Sequence, residues 1–214
     1  MKNYREWGHL DGRVLLVASN NEHKVEEFRR ILQPLGLRVA SPVQCGLRVD
    51  VHEIGSSFAE NALLKARAFS SASGMPAVAD DSGLAVDALN GEPGVYSARF
   101  GGPGLDDEGR YRLLLDRLSG VPESDRSARF ITAITLSTPC GETLAVAGTV
   151  DGVIASEPRG RLGFGYDPVF YYPPSGKTFG EMTGAEKDAV SHRARALRAL
   201  AATLSAGSAP GILR

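Results

Sequence analysis

Two spacings of apolar positions run through this chain. The run Val14-Leu15-Leu16-Val17 predicts a buried strand over 13–18, and Leu37–Ala40 a second short one. Between them Val25, Phe28, Ile31, Leu32 and Leu35 recur at helical spacing, predicting a helix to about Pro34. Phe58, Ala62, Leu63, Ala66 and Phe69 predict another to about Ser73. Tyr111, Leu114, Leu115 and Leu118 predict a third over 106–118. Ala77–Ala79 reads as the end of a buried strand, and 84–89 alternates as a further one. The period then becomes two. Phe130, Thr132, Ile134 and Leu136 share one face, 143–154 alternates again, and Pro139-Cys140-Gly141 between them reads as a hairpin turn. The final series, Ala189, Val190, Ala194, Leu197, Leu200 and Ala201, predicts one helix from about Gly184 to Leu204. Strands interleaved with helices, followed by a long antiparallel pair, define an α/β fold with a mixed sheet flanked by helices. Residues 1–12 are polar and aperiodic and read as a loose leader. Residues 13–204 form one domain, and 205–214 a frayed tail.

The helix starts carry caps. Ser19/Glu22, Ser57/Glu60 and Thr183/Glu186 have capping-box spacing, with Asn20 and Asn21 as alternative caps for the first helix. Asp106-Asp107 opens the third helix, where the dipole favours acids.

Composition narrows the function. The 214 residues are 43% hydrophobic and 23% charged, which fits a globular protein with a substantial core. A formal net charge of −1 offers no basic surplus for a duplex-sized nucleic-acid footprint. Cys45 and Cys140 have no metal-type spacing, and with four scattered histidines they speak against a zinc cage. Val14–Ala18, the longest early apolar run, is too short for a membrane span or signal segment. The expectation is a protein of the reducing cytoplasm, with no membrane partner.

The candidate chemistry lies in four places. Asp80-Asp81-Ser82-Gly83 follows the apolar run at 77–79; two carboxylates suit a hard cation, while Asp, Ser and Gly equally suit a solvated turn. Ser19-Asn20-Asn21-Glu22-His23-Lys24 leaves the first strand at a helix mouth, where unpaired N–H groups and Lys24 attract phosphate, unless this is only a capped helix with a surface lysine. Glu53 is a carboxylate within reach of Asp80 and Asp81. Lys187 and Arg193 stand near the start of the last helix, where Lys187 opposes the dipole and invites an anion. In Gly160–Phe170, glycines beside aromatics let the backbone approach a flat ligand. That stretch lacks dinucleotide-fingerprint spacing, and Gly176-Lys177-Thr178 lacks the upstream glycine of a phosphate-binding loop. Gly101-Gly102-Pro103-Gly104 reads as a lid hinge or a turn.

Together these stretches resemble the inosine triphosphate pyrophosphatase family, over about Arg13 to Leu204. Ser19–Lys24 is similar to its Thr/Ser-x-Asn-x-x-Lys phosphate loop, and Glu53–Ala62 to its E-T-G-x-T-F-x-E-N-A element. Ala79–Leu84, Pro93–Arg99, Phe164–Pro168 and Ser191-His192-Arg193 resemble its remaining signatures, in the family's order.

The resemblance implies hydrolysis of ITP, dITP and XTP to monophosphate and pyrophosphate, dependent on Mg²⁺ or alternatively Mn²⁺. It implies an elongated α/β fold of two lobes around a central cleft, and a homodimer. Asp81 would be general base and metal contact, with Glu53 as second ligand and Ser82 near the substrate. Ser19, Asn20, Asn21, Glu22, His23 and Lys24 would hold the phosphates, helped by Lys187. Phe164, Gly165, Tyr166, Asp167, His192 and Arg193 would surround the purine. Asn20 replaces a common glycine, His52 stands where a second acid is frequent, and Ile54 and Ser57 replace two threonines. The alternatives are a related pyrophosphatase for pyrimidine or methylated nucleotides, and a nucleotide-binding regulator without turnover.

Overall fold

The computed structural model of the protein describes residues 14–205. The expected leader at 1–12 and the tail beyond Ser205 lie outside the described residues. Seven strands form one mixed sheet in the order β2-β1-β3-β4-β5-β6-β7, as the change of hydrophobic period predicts. The chain divides into two compact units, with boundaries inside β3, β4 and β5 and after Arg193.

Unit 1 holds β1 (Val14–Val17), α1 (Glu22–Leu32), β2 (Arg38–Ala40), α2 (Phe58–Ser73) and the first half of β3 (Ala77–Val86). It also holds the joined ends of β4 (Ser127–Ser137) and β5 (Thr143–Ile154), and nearly all of α5 (His192–Ser205). β1 pairs in parallel with β2, Val14 against Arg38, and with β3, Leu16 against Ala77. From β1 the chain crosses one way to β2, then back past β1 to β3. Right-handed crossovers in opposite directions put their helices on opposite faces. Val25, Phe28 and Leu32 of α1 accordingly pack with Leu15, Val17, Val78 and the α5 residues Leu197 and Leu200. Ala66 and Phe69 of α2 pack with Leu16, Ala18, Ala77 and Ala79. The carboxyl ends of β1 and β3 therefore flank a topological switch point, where α/β sheets place ligands.

Unit 2 holds the second half of β3, a 3₁₀ segment at Gly94–Arg99, α3 (Asp107–Arg117) and the remaining parts of β4 and β5. β6 (Phe170–Tyr172), β7 (Lys177–Thr178) and α4 (Gly184–Val190) complete it. β6 runs antiparallel to β5 and β7. Its core joins Leu84, Val86, Leu114 and Leu118 to the rings of Phe130, Phe170 and Phe179. Gly101 is exposed, with a positive φ of +81° that favours glycine, and a Cβ there would meet the side chains of Leu105 and Leu113.

Several expectations need correction. β3 does not end at Ala79; it runs unbroken for ten residues through Asp80, Asp81 and Ser82. The last helix is two, broken at Ser191, whose backbone is extended (φ −64°, ψ 156°). Asn21, not Ser19, caps α1, accepting from the N–H groups of His23 and Lys24. At α2 Ser57 is the cap, but Glu60 reaches one residue past it to Ser56. Thr183 and Glu186 complete the predicted reciprocal box. β6 and β7 are too short to show a period in sequence.

Candidate active site

In unit 1 the polar side chains collect around the exit of β1 and the middle of β3. β1 ends at Val17, and Ala18 still donates to Val78 O, so the edge of β3 from Asp80 onward lies past the end of its neighbour. Both acids are nonetheless buried, Asp80 at 2% exposure and Asp81 at 7%. Buried carboxylates need cationic partners or hydrogen bonds. Lys24 Nζ lies 3.1 Å from Asp80 Oδ2. Lys65 Nζ lies 3.0 Å from Asp81 Oδ1 and 3.2 Å from Glu53 Oε1.

Asn61 finishes the arrangement. Its Nδ2 donates to Asp81 Oδ2 at 3.2 Å, and its Oδ1 accepts from Gly55 N at 2.8 Å. One amide thereby ties the loop of Glu53 to the strand of Asp81. A Cβ on Gly55 would sit 2.6 Å from that Oδ1, so the glycine permits the approach. Thr132 Oγ1 donates to Asp81 O, fixing the backbone beneath the carboxylate.

Burial pushes the Asp81 carboxyl above the usual carboxylate range; Lys65 pulls against this and Glu53 adds to it. Burial pulls Lys65 down, but Asp80, Asp81 and Glu53 together outweigh it, and the ammonium is held above the ordinary lysine range. The mouth of α1 lies in the same unit. Asn20, Asn21, Glu22 and His23 are exposed, and Ser19 and Lys24 half-buried. Ser19 Oγ accepts from Asn21 N, which shapes the turn into the helix.

The donors suit a hard cation. Glu53 and Asp81 converge on one point, the Lys65 ammonium, and Mg²⁺ is content with one or two carboxylates plus water and phosphate oxygens. Among the described residues no group of three or more His, Cys, Asp or Glu could hold a metal, so these acids form an open pair and not a closed zinc-type cage.

Unit 2 gathers a second cluster. Lys187 Nζ lies 2.6 Å from Asp167 Oδ2, with both side chains 5% exposed or less. The same oxygen accepts from Phe164 N at 2.9 Å. Gly163 has φ +76°, and a Cβ there would fall on the Asp167 carboxylate. Lys187 Nζ sits 4.7 Å from the centre of the Phe164 ring, and the Arg193 guanidinium 5.8 Å from it. Arg193 is 1% exposed and donates to Ser82 Oγ at 2.8 Å. His192 stacks on Phe130 with ring centres 4.8 Å apart.

Lys187, expected to help hold phosphate, is paired with Asp167 in the Phe164–Asp167 cluster. Tyr166 turns into the core, where its hydroxyl donates to Ser97 O; burial raises its phenol above the ordinary range. Gly165 is half-buried, and its N–H goes to Asp107 Oδ2. Sequence reading passed over Asn61 and Lys65. The signal was available: both fall in the stripe of Ala62, Ala66 and Phe69, where an amide and an ammonium need partners.

This is an α/β protein whose charged side chains gather at the switch point of its sheet. The Ham1 family model matches residues 15–203, and the chain belongs to the Ham1 family. It is 45% identical over 191 residues to the dITP/XTP pyrophosphatase of Bacillus subtilis, covering 89% of this chain and 96% of the relative. It is 48% identical over 201 residues to a dITP/XTP pyrophosphatase of Thermus thermophilus, covering 94% and 96%. The solved structure of a HAM1 protein from Coxiella burnetii superposes with a TM-score of 0.81 at 40% identity, covering 90% of this chain and 98% of that one.

Proposed function

We propose that the protein hydrolyses non-standard purine nucleoside triphosphates, ITP, dITP and XTP, to the monophosphate and pyrophosphate, and so cleanses the nucleotide pool. The relatives named dITP/XTP pyrophosphatase, matched over nearly their full length, support the substrate class. The observation that carries the chemistry is Asp81: a buried carboxylate, raised in pKa, held by Lys65 and Asn61 beside Glu53.

Asp81 takes the proton of the attacking water, a role for which a pKa nearer neutrality is suited. Lys24 and the positive end of the α1 dipole offset charge on the polyphosphate, since phosphoryl chemistry is mostly positioning and electrostatics. Glu53 and Asp81 would hold Mg²⁺, or Mn²⁺, which when bound offsets further charge on the phosphates. In unit 2, Lys187 and Arg193 read the base as donors that cannot accept. A 6-oxo purine gives them an acceptor where adenine gives another donor, and a buried donor left unpaired costs about 1–3 kcal/mol. Phe164 supplies a ring for the base to stack on, and Asp167 and Ser82 hold the two cations in place.

We infer a homodimer working in the cytoplasm. No helix among the described residues is long and apolar enough to cross a membrane. The decisive experiment is product analysis on ITP, dITP, XTP, dTTP, UTP and ATP with Mg²⁺. Pyrophosphate from the three non-standard purines and little from the rest is the expected result. Orthophosphate, or preference for dTTP or UTP, overturns the reading; tight binding of ITP without any product makes the protein a regulator.

A further inference from the structure

Asp80 and Asp81 are neighbours in one strand, and strand side chains alternate between faces. The surroundings show it. Val78 packs with the α1 side of the sheet, Ala77 and Ala79 with the α2 side. Asp81 follows Ala79 to Lys65 and Asn61 of α2, while Asp80 follows Val78 to Lys24 of α1. Two oxygens shared by one Mg²⁺ must each lie about 2.0–2.1 Å from it, and carboxylates on opposite faces of a strand do not converge in this way. The Asp80 side chain is fully buried, whereas Lys24 keeps 17% of its side chain exposed. The acid is the anchored partner, and the ammonium is the one that reaches toward solvent at the helix mouth.

We infer that Asp80 is a positioning residue for the phosphate loop: its buried carboxylate sets the Lys24 ammonium at the start of α1, and it takes no part in cation binding with Asp81. This rests on the reading that Ser19–Lys24 receives the polyphosphate. It divides the acid pair by task, Asp81 serving water and cation and Asp80 serving a lysine.

The test is a double-mutant cycle of Asp80→Asn and Lys24→Met in the full chain. Three quantities are read: kcat and KM for ITP, the half-saturating Mg²⁺ concentration, and metal-free binding of inorganic tripolyphosphate by calorimetry. Losing one partner of a buried charge pair is expected to raise KM and weaken tripolyphosphate binding about tenfold or more. Half-saturating Mg²⁺ stays within about twofold, and on the Lys24→Met background Asp80→Asn adds less than about twofold, because the shared interaction is already gone. Additive effects, or a shifted Mg²⁺ requirement with unchanged KM, overturn the inference. If Asp80→Asn does not fold, Asp80→Glu, which keeps the charge but moves it by one methylene, enters the same cycle, and the same results support or overturn the inference. Should ITP not be turned over at all, the proposed function fails, while the tripolyphosphate arm still decides whether Asp80 acts through Lys24.

Discussion

Among the described residues two lysines are buried against carboxylates, and the two are built differently. Lys65 stands between two acids from separate segments, and one of them, Glu53, keeps 35% of its side chain exposed. Lys187 is bound at 2.6 Å to Asp167, both are closed off from solvent, and the ammonium lies over the Phe164 ring. In the first cluster the acids exceed the nearby cation, leaving negative charge for a second cation and a base. In the second the Asp167 carboxylate is matched by Lys187 and a backbone N–H, and the Arg193 guanidinium beside the same ring adds a further positive charge. Surplus negative charge suits a cation and a base; a matched pair with a further guanidinium suits a neutral acceptor.

The largest expected effect separates these roles at Asp81. Asp81→Asn is expected to lower kcat for ITP about 10²–10⁴-fold, the usual worth of a positioned base, with nucleotide binding largely kept. Near-normal pyrophosphate release would remove Asp81 from the chemistry and the contrast with it. Lys187→Met should act on stability as well as on base binding. It leaves the Asp167 carboxylate buried without its ammonium, at a cost of about 3–5 kcal/mol in denaturant unfolding. Adding Asp167→Asn should recover part of that loss.

Lys65→Met should move a pH profile. Asp81 must be ionised to act, so kcat/KM falls as pH drops through its pKa. Burial already places that pKa above the usual carboxylate range, and the Lys65 charge opposes the rise. Without the ammonium the acid limb is expected to move upward by about 1–3 pH units. An unmoved limb would show that another group sets it. The smallest expected effects come from the caps of the helices carrying the two lysines. Ser57→Ala on α2 and Thr183→Ala on α4 should each cost about 1 kcal/mol of stability. Only the first should also slow turnover, because α2 carries Lys65 and Asn61.

The strands and helices with strong apolar periods were legible in sequence, including the mixed character of the sheet. Asp80 and Asp81 were legible as candidates but not as strand residues. Asp, Ser and Gly read as a turn locally, and what permits their burial is Lys24 and Lys65, respectively 56 and 16 positions earlier in the chain. Lys187 was legible as a cation that invites an anion but not as the partner of Asp167, which lies in another element. The break at Ser191 carries no Gly or Pro to announce it. Glu53 needed only its loop to be drawn close, and Asn61, which draws it, was visible as a polar residue in an apolar stripe.

That break has a geometric consequence. In one continuous helix Lys187 and Arg193 would point roughly 120° apart, since six residues do not make a whole number of turns. Ser191 resets the phase, and the ammonium and guanidinium meet over one aromatic ring. The joint thus works as an angular adjustment within 187–193. Under the proposed function, the extended backbone of Ser191 is what lets one ring carry both cations that read the base.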